Sequence, residues 1–264
     1  MHDLRSEYTF FEKFSVWFSR KLIVVFTVGK VGTLSVCASL EKSGFKHIHP
    51  HSLYFTWPGI YFLEVDKSRR ERFVFRLRTC LKRIKVRLWK SIVPQIRIVS
   101  GVRDPFSRSI SAYFEQVHYN GGIPSNWSYE DILVDFESRT DFFAQDKWFL
   151  NELSQFMDIN IYDTPFDTAK GYCEFNNGKI NALVYRIDML SNMSGILSNY
   201  CGGELNVIKV NDSSDNEVGA RYLDFKARYR YPVALAKSIM ESKSFSYFYS
   251  QAERERFFDM YVER

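Results

Sequence analysis

The sequence predicts an α/β fold in three layers, a central parallel sheet flanked by helices, and three observations lead there. Short β-branched runs alternate with longer stretches of helical periodicity along the chain. The run Ile23-Val24-Val25-Phe26 and the segment Gln95–Val102 read as strands buried in a sheet interior. Each ends in a polar turn that opens a helix, the connection that returns the chain to lay down the next parallel strand, with right-handed crossovers. The 264 residues read as one domain, 1–264, long enough to bury a sizeable core.

In order, residues 21–28 read as the first strand and 33–43 as a helix ending at Gly44. Phe45–His49 reads as a second strand, and a long basic helix covers roughly 66–90. The strand at 95–102 leads into a helix at 105–118, where Asp104 is a good N-cap and Pro105 takes the favoured first helical position. Asn120-Gly121-Gly122-Ile123-Pro124 is a loop, followed by helices at 128–137 and 141–157. A hairpin-like stretch near Asn176-Asn177-Gly178 leads into a strand at 179–186, then a helix at 187–200 and a mostly helical tail after Asp212.

Chemistry concentrates at two strand-to-helix turns. The first is Gly29-Lys30-Val31-Gly32-Thr33-Leu34-Ser35, whose glycines, lysine and hydroxyls suit a backbone wrapped around an oxyanion. A Walker A loop reads G-x-x-x-x-G-K-[ST], with a Mg²⁺-binding hydroxyl after the lysine. Here Lys30 precedes Gly32 and Val31 stands in the hydroxyl position, so the loop suits a phosphate that is not carried on magnesium. The second turn is Arg103-Asp104-Pro105, with Ser111 under two turns into the helix. Arg103 can fork onto a phosphate while Ser111 donates from the helix side. Two such sites at the carboxyl ends of two parallel strands suit a nucleotide with phosphates at both ends.

The pattern G-K-x-G-T-x-S followed by R-D-P-x-x-R-x-x-S-x-Y-F resembles the sulfotransferase superfamily, whose members use 3′-phosphoadenosine 5′-phosphosulfate (PAPS). The chain is most similar there to bacterial capsular-polysaccharide sulfotransferases. Shorter pieces support this: Asp146-Lys147-Trp148-Phe149 with Glu152, Ile159-Asn160-Ile161-Tyr162, Val184-Tyr185-Arg186-Ile187-Asp188 and Phe248-Tyr249-Ser250-Gln251. The resemblance implies a P-loop-like fold in which Gly29–Ser35 cradle the 5′-phosphosulfate, with Lys30 and Thr33 as main contacts. It implies that Arg103 and Ser111 hold the 3′-phosphate. Arg186, after an apolar strand, could reach the nucleotide or pair with Asp188.

Sulfuryl transfer to a hydroxyl needs charge stabilisation at the leaving phosphate, a role for Lys30, and a base for the acceptor. The candidates for the base are His47, His49 and His51. Alternation puts His47 and His49 on one face, and His49, at the strand's carboxyl end, is the first choice. Glycan 2-O-type sulfotransferases resemble this chain in placing a histidine soon after the second strand. Glu152 is the rival base, because carboxylates serve in other branches of the superfamily. No metal is expected.

Composition narrows the rest. Aromatic residues make up 17%, with 24 Phe and 16 Tyr, and Tyr54, Phe55, Trp57, Trp127 and Tyr129 offer faces for a sugar in acceptor loops at 52–66 and 119–145. Cys37, Cys80, Cys173 and Cys201 lack metal or redox spacing, which argues against zinc and for a reduced cytoplasmic setting. The N-terminus carries no apolar run of signal-peptide or membrane-span length. Lys67–Lys90 holds eleven Lys or Arg against one Glu, interleaved with Phe73, Leu77, Leu81, Ile84 and Leu88. The favoured reading is an amphipathic helix with that apolar face in the core and a solvated basic face. An anionic saccharide, or a lipid-linked glycan at an anionic inner-membrane surface, stands second. Nucleic acid ranks last, because no binding motif accompanies the charge.

The leading expectation is therefore an enzyme that moves a sulfuryl group from PAPS to a glycan hydroxyl. A P-loop nucleotide kinase and a non-catalytic nucleotide- or glycan-binding protein on the same scaffold are the alternatives.

Overall fold

A computed structural model describes residues 22–53, 69–210 and 217–262. Among these the chain forms a five-stranded sheet: β1 (Ile23–Val25), β2 (His47–Ile48), β3 (Ile96–Val102), β4 (Tyr172–Asn176) and β5 (Ile180–Arg186). The spatial order is β2-β1-β3-β5-β4. Four strands are parallel, and β4 runs antiparallel at the edge, paired to β5 through a turn at Asn177-Gly178. The Asn177 side chain accepts from the amide of Ile180 at 2.7 Å, and Gly178 takes the left-handed conformation the turn requires. The strand sequences read as buried from both sides because they are. Val24, Phe26, Ile98, Val102, Ala182 and Val184 face one core, and Ile23, Val25, Val99, Leu183 and Tyr185 face the other.

The helices make the outer layers. On the second face lie α1 (Thr33–Lys42) and, further along the chain, α7 (Ser194–Cys201), through Val36, Leu40 and Leu197. On the first lie α2 (Arg69–Ile92), α3 (Pro105–Tyr119), α4 (Tyr129–Arg139), α5 (Ala144–Trp148) and α6 (Gln155–Met157). The C-terminal helices α8 (Glu217–Arg228), α9 (Val233–Met240), α10 (Lys243–Phe248) and α11 (Gln251–Tyr261) join them there. Phe106 of α3 joins Phe136, Phe225, Tyr229 and Tyr231 in an aromatic lattice, mostly edge-to-face with Phe225 stacked on Tyr229, which is where much of the aromatic content goes.

Several expectations change. The helix expected over 141–157 is not one α-helix: α5 passes into a π-helical segment, Phe149–Ser154, before α6. The helix expected over 187–200 begins as a 3₁₀ turn, Ile187–Asn192, which aims Leu190 and Ile187 at Gly32. Of the apolar residues expected to pack the basic helix on the core, the Phe73 side chain lies outside the described ones and the other four do not pack there. Leu77, Leu81, Ile84 and Leu88 are exposed, and α2 instead buries Val86 and Trp89, whose indole stacks on Phe156 at 6.1 Å. The acceptor-loop residues Tyr54, Phe55 and Trp57, the N-terminal segment and the start of the tail lie outside the described residues. No helix among the described residues is long and apolar enough to cross a membrane.

The strand order positions a site. From β1 the chain moves to β2 on one side, then returns past β1 to build β3 on the other. The connections therefore diverge above the carboxyl ends of β1 and β3, and such a switch point opens a crevice between the two following loops.

Candidate functional site at the sheet switch point

The loop after β1 is held by its carbonyls. Thr27 O is 2.9 Å from His51 Nδ1, Val28 O accepts from Arg108 Nη2 at 3.4 Å, Lys30 O from Arg103 Nη1 at 3.3 Å and Val31 O from the Tyr185 hydroxyl at 3.0 Å. These donors come from the segment after β2, from α3, from the loop after β3 and from β5. Within the loop the Thr27 and Thr33 hydroxyls meet at 2.9 Å. Gly29, Lys30 and Gly32 all have positive φ, a conformation that lysine rarely adopts, so Lys30 is held there by its surroundings. Gly32 is the N-cap of α1, and the first-turn amides of Thr33, Leu34 and Ser35 have no partner within the helix. The backbone there presents positive polarity to the crevice side of the loop.

The second wall is the loop after β3. Asp104 caps α3 by accepting from the Ser107 amide at 2.7 Å, and the Ser107 hydroxyl also donates to it. Burial pushes the Asp104 carboxyl upward, against the pull of Arg103 and Ser107. Gln145, buried on α5, clamps Arg103 through both backbone groups, accepting from its N–H at 3.2 Å and donating to its C=O at 3.1 Å. The Arg103 side chain donates from Nε to Ser107 Oγ at 2.8 Å and from Nη1 to Lys30 O. Nη2 has no hydrogen bond among the described residues, so part of the guanidinium fork is left for a ligand.

Ser107, Ser111 and Glu115 recur every four residues on one face of α3. Ser107 touches Arg103, and Glu115 Oε1 lies 3.4 Å from Lys30 Nζ, so Ser111 sits between the two cations' neighbours, itself nearly buried. Arg103 and Lys30, distant in sequence, thus meet at the Lys30 carbonyl, and Ser111 shares the α3 face of Ser107 and Glu115 that adjoins them. Arg108, fully enclosed beneath it, has its pKa pushed down to about 10 by burial and stays charged near neutral pH.

The other residues expected at the site divide between those near this loop and those engaged elsewhere. Val31 is fully buried, Thr33 turns to Thr27, and Ser35 Oγ accepts from the Val210 amide at 3.1 Å. Leu34 is exposed. Arg186 is engaged elsewhere: it donates to Asp188 from Nε and Nη2 (3.1 and 2.6 Å), to Glu253 at 2.6 Å and to Thr168 O at 3.1 Å, and lies over the Tyr249 ring. The Asp188 pairing is the one foreseen as the alternative to a nucleotide contact.

The three histidines separate clearly. His47 Nδ1 lies 3.4 Å from the Phe45 carbonyl, and burial lowers its pKa. His49 is driven down to about 3 by burial, with His51 and His47 adding to the effect. Its Nε2 is enclosed and has no partner among the described residues. His51 reaches the loop after β1: its Cε1 is 3.6 Å from where a Cβ on Gly29 would stand. A carbonyl only accepts, so the contact to Thr27 O makes Nδ1 the donor, and in the neutral ring the lone pair then lies on Nε2. Glu152, fully buried in the π-helical segment, accepts from Ser52 Oγ at 2.6 Å and from the Leu53 amide at 2.9 Å. Trp148 Nε1 donates to His51 O at 2.7 Å. Glu152 and Trp148 therefore fix the segment that carries His51.

Sequence reasoning did not single out Ser107, Glu115 or Gln145, and it held Arg108 only as the second arginine of the R-D-P-x-x-R motif, with no role. Spacing of four on either side of Ser111 was the available signal for Ser107 and Glu115; Gln145 had none. No cluster of three or more His, Cys, Asp or Glu among the described residues could hold a metal ion. Comparison of the chain with protein-family models, with curated proteins and with solved structures gives no match.

Proposed function

We propose that the protein transfers a sulfuryl group from PAPS to a hydroxyl of a glycan or glycan precursor. The observation that carries the reading is the junction of the two strand-end loops, where Arg103 donates to the Lys30 carbonyl at 3.3 Å with Ser111 on the adjoining helix face. The donor set fits a nucleotide bearing two separate phosphate groups: an ammonium, half of a guanidinium fork, a hydroxyl and first-turn amides. Of the carboxylates near it, Glu115 is already the counterion of Lys30, and Asp104 is taken up in capping α3. The resemblance to sulfotransferases rests on these same residues, and a P-loop-like β1 loop is part of the reading.

PAPS supplies the activated sulfuryl group. Lys30 and the amides after Gly32 offset the charge that develops on the departing 5′-phosphate oxygen. Arg103 and Ser111 hold the 3′-phosphate end. The acceptor oxygen forms its bond to sulfur as the bond from sulfur to the phosphate oxygen breaks, and the acceptor proton passes to a base. His51 suits this step better than the first choice, His49, because its Nε2 lone pair is directed by the bond at Nδ1 and its ring lies beside Gly29. Glu152 acts in this scheme through His51, by anchoring the segment that bears it.

A nucleotide kinase is the second reading. Against it, Val31 occupies the position of the metal-binding hydroxyl and is fully buried. Thermal unfolding with 3′-phosphoadenosine 5′-phosphate and with Mg-ATP separates the two. A ligand at a hundred times its Kd adds about 2.7 kcal/mol, a rise of several degrees for a protein of this size. The reading expects that rise with the bisphosphate, its loss in Arg103→Ala, and label transfer from PAPS to glycan acceptors. A rise with Mg-ATP alone overturns it.

A further inference from the structure

We infer that α2 docks the protein on an anionic lipid bilayer, through an apolar row and the basic residues that flank it. Leu77, Leu81, Ile84, Leu88 and Ile92 follow one another in steps of three and four residues and are all 47 to 62% exposed. At 100° per residue they fall within an arc of roughly 80°. The face that packs on the core, through Val86 and Trp89, is centred roughly 130° away. The row is thus a second apolar face, separate from the one that folds the helix. Monomeric surfaces rarely leave so continuous a row without a partner.

Charge decides which partner. Arg69–Ile92 holds ten Lys or Arg and a single acidic residue, Glu71, whereas the whole chain has a formal charge of only +5. The remainder of the protein is therefore net negative, and the positive field belongs to this helix. Lys85 and Arg87, both exposed, stand on opposite sides of the row. A second copy is a poor occupant, because pairing two such helices brings like charges together with no acidic residues to answer them. An anionic bilayer answers both features. The leucines and isoleucines settle at the acyl boundary while the basic side chains reach outward to phosphate headgroups. The net negative remainder is repelled by the same surface, which orients the molecule with α2 downward. None of these residues borders the crevice, so the inference stands apart from the sulfuryl-transfer reading.

The test is flotation of the full chain with vesicles of phosphatidylcholine alone and of phosphatidylcholine mixed with phosphatidylglycerol, at low and raised salt. Two variants accompany it: Leu81→Ser with Leu88→Ser, and Lys85→Glu with Arg87→Glu. All four positions are exposed, so thermal unfolding is expected to match the parent. The expected result is binding to the mixed vesicles that weakens with salt. It should fall roughly fivefold or more for each basic residue removed and on the order of tenfold for the paired leucine variant. Failure to float with the mixed vesicles overturns the inference. So does binding unchanged in the leucine variant, which would reduce it to bare charge attraction. Self-association that the leucine variant abolishes, without vesicle binding, would make the row an interface between copies and overturn it equally.

Discussion

Gly101 on β3 tests how the loop after β1 is shaped. A Cβ there would stand 2.7 Å from Val31 O and 3.0 Å from the Cζ and hydroxyl oxygen of Tyr185, the same hydroxyl that donates to Val31 O. Two of these atoms belong to a hydrogen bond and one to backbone, so none can swing aside as the end of a flexible chain could. Gly101→Ala must push the loop off β3 or break the Tyr185 bond. Overpacking in a tight interior costs about 1–3 kcal/mol, and stranding a buried carbonyl adds about 1–3 kcal/mol. The sum, roughly 2–6 kcal/mol, lowers the thermal midpoint by about 4 °C at the least. The assay is thermal unfolding without and with 3′-phosphoadenosine 5′-phosphate, for Gly101→Ala, Tyr185→Phe and the double variant. Tyr185→Phe removes only the hydroxyl and should cost less. It also clears one of the clashing atoms, so the double variant should fall short of the sum of the two single losses. Ligand stabilisation should shrink in Gly101→Ala more than in Tyr185→Phe. An alanine variant with parental stability and an unchanged ligand shift would refute the argument that β3 sets the loop.

Other expectations follow from the same geometry. Lys30→Ala should abolish transfer while leaving the fold intact, whereas Glu115→Gln frees the ammonium and should tighten bisphosphate binding by up to about fivefold, the range of a partly exposed ion pair; calorimetric titration measures both. His51→Asn, whose amide can keep the bond to Thr27 O, should lower the transfer rate by roughly 10²–10⁴ without reducing the ligand-induced thermal shift, and an unchanged rate would remove His51 from the chemistry. His49 has its pKa depressed from the ordinary histidine value to about 3, so the unfolded chain binds a proton there before the folded one does. Stability is then lost as pH falls below the unfolded value, by about 1.4 kcal/mol between about pH 7.5 and 5.5, and thermal melts of His49→Gln should show that slope flattened. Glu152→Ala deletes both bonds to Ser52 and Leu53 and should slow transfer more than it weakens donor binding, because it loosens the segment bearing His51.

What the sequence disclosed, it disclosed where the physics is local. Asp104 and Pro105 announce the start of α3 because a cap and a fixed φ act within four residues. The glycines around Lys30 announce a turn for the same reason, and the strands of the buried sheet carry their apolar runs openly. Properties set by distant partners stayed hidden. Glu152 looks like a base on paper, but the segment after β2, about a hundred residues away, bonds to both its oxygens. His51 gains its directed lone pair from Thr27 O on another element. Arg186 is committed by Glu253, which lies on α11. The apolar residues of α2 show helical spacing, but spacing alone does not say which of two apolar faces meets the core; the bulk of Trp89 against Phe156 decides that. The antiparallel edge strand β4 was reduced to a hairpin signal, because its direction depends on its pairing with β5.

The four carbonyl contacts that hold the loop after β1 also set when that loop can exist. The bond from Arg103 to Lys30 spans 73 residues, that from Arg108 to Val28 spans 80, and that from Tyr185 to Val31 spans 154. A nascent chain that has laid down β1 and α1 therefore holds the loop's residues without its shape. Contacts so distant in sequence form late, after loop-closure entropy has been overcome. Ligand competence should arrive only once β5 has joined the sheet, and a chain stopped before Tyr185 should fail to bind even if its first strands associate.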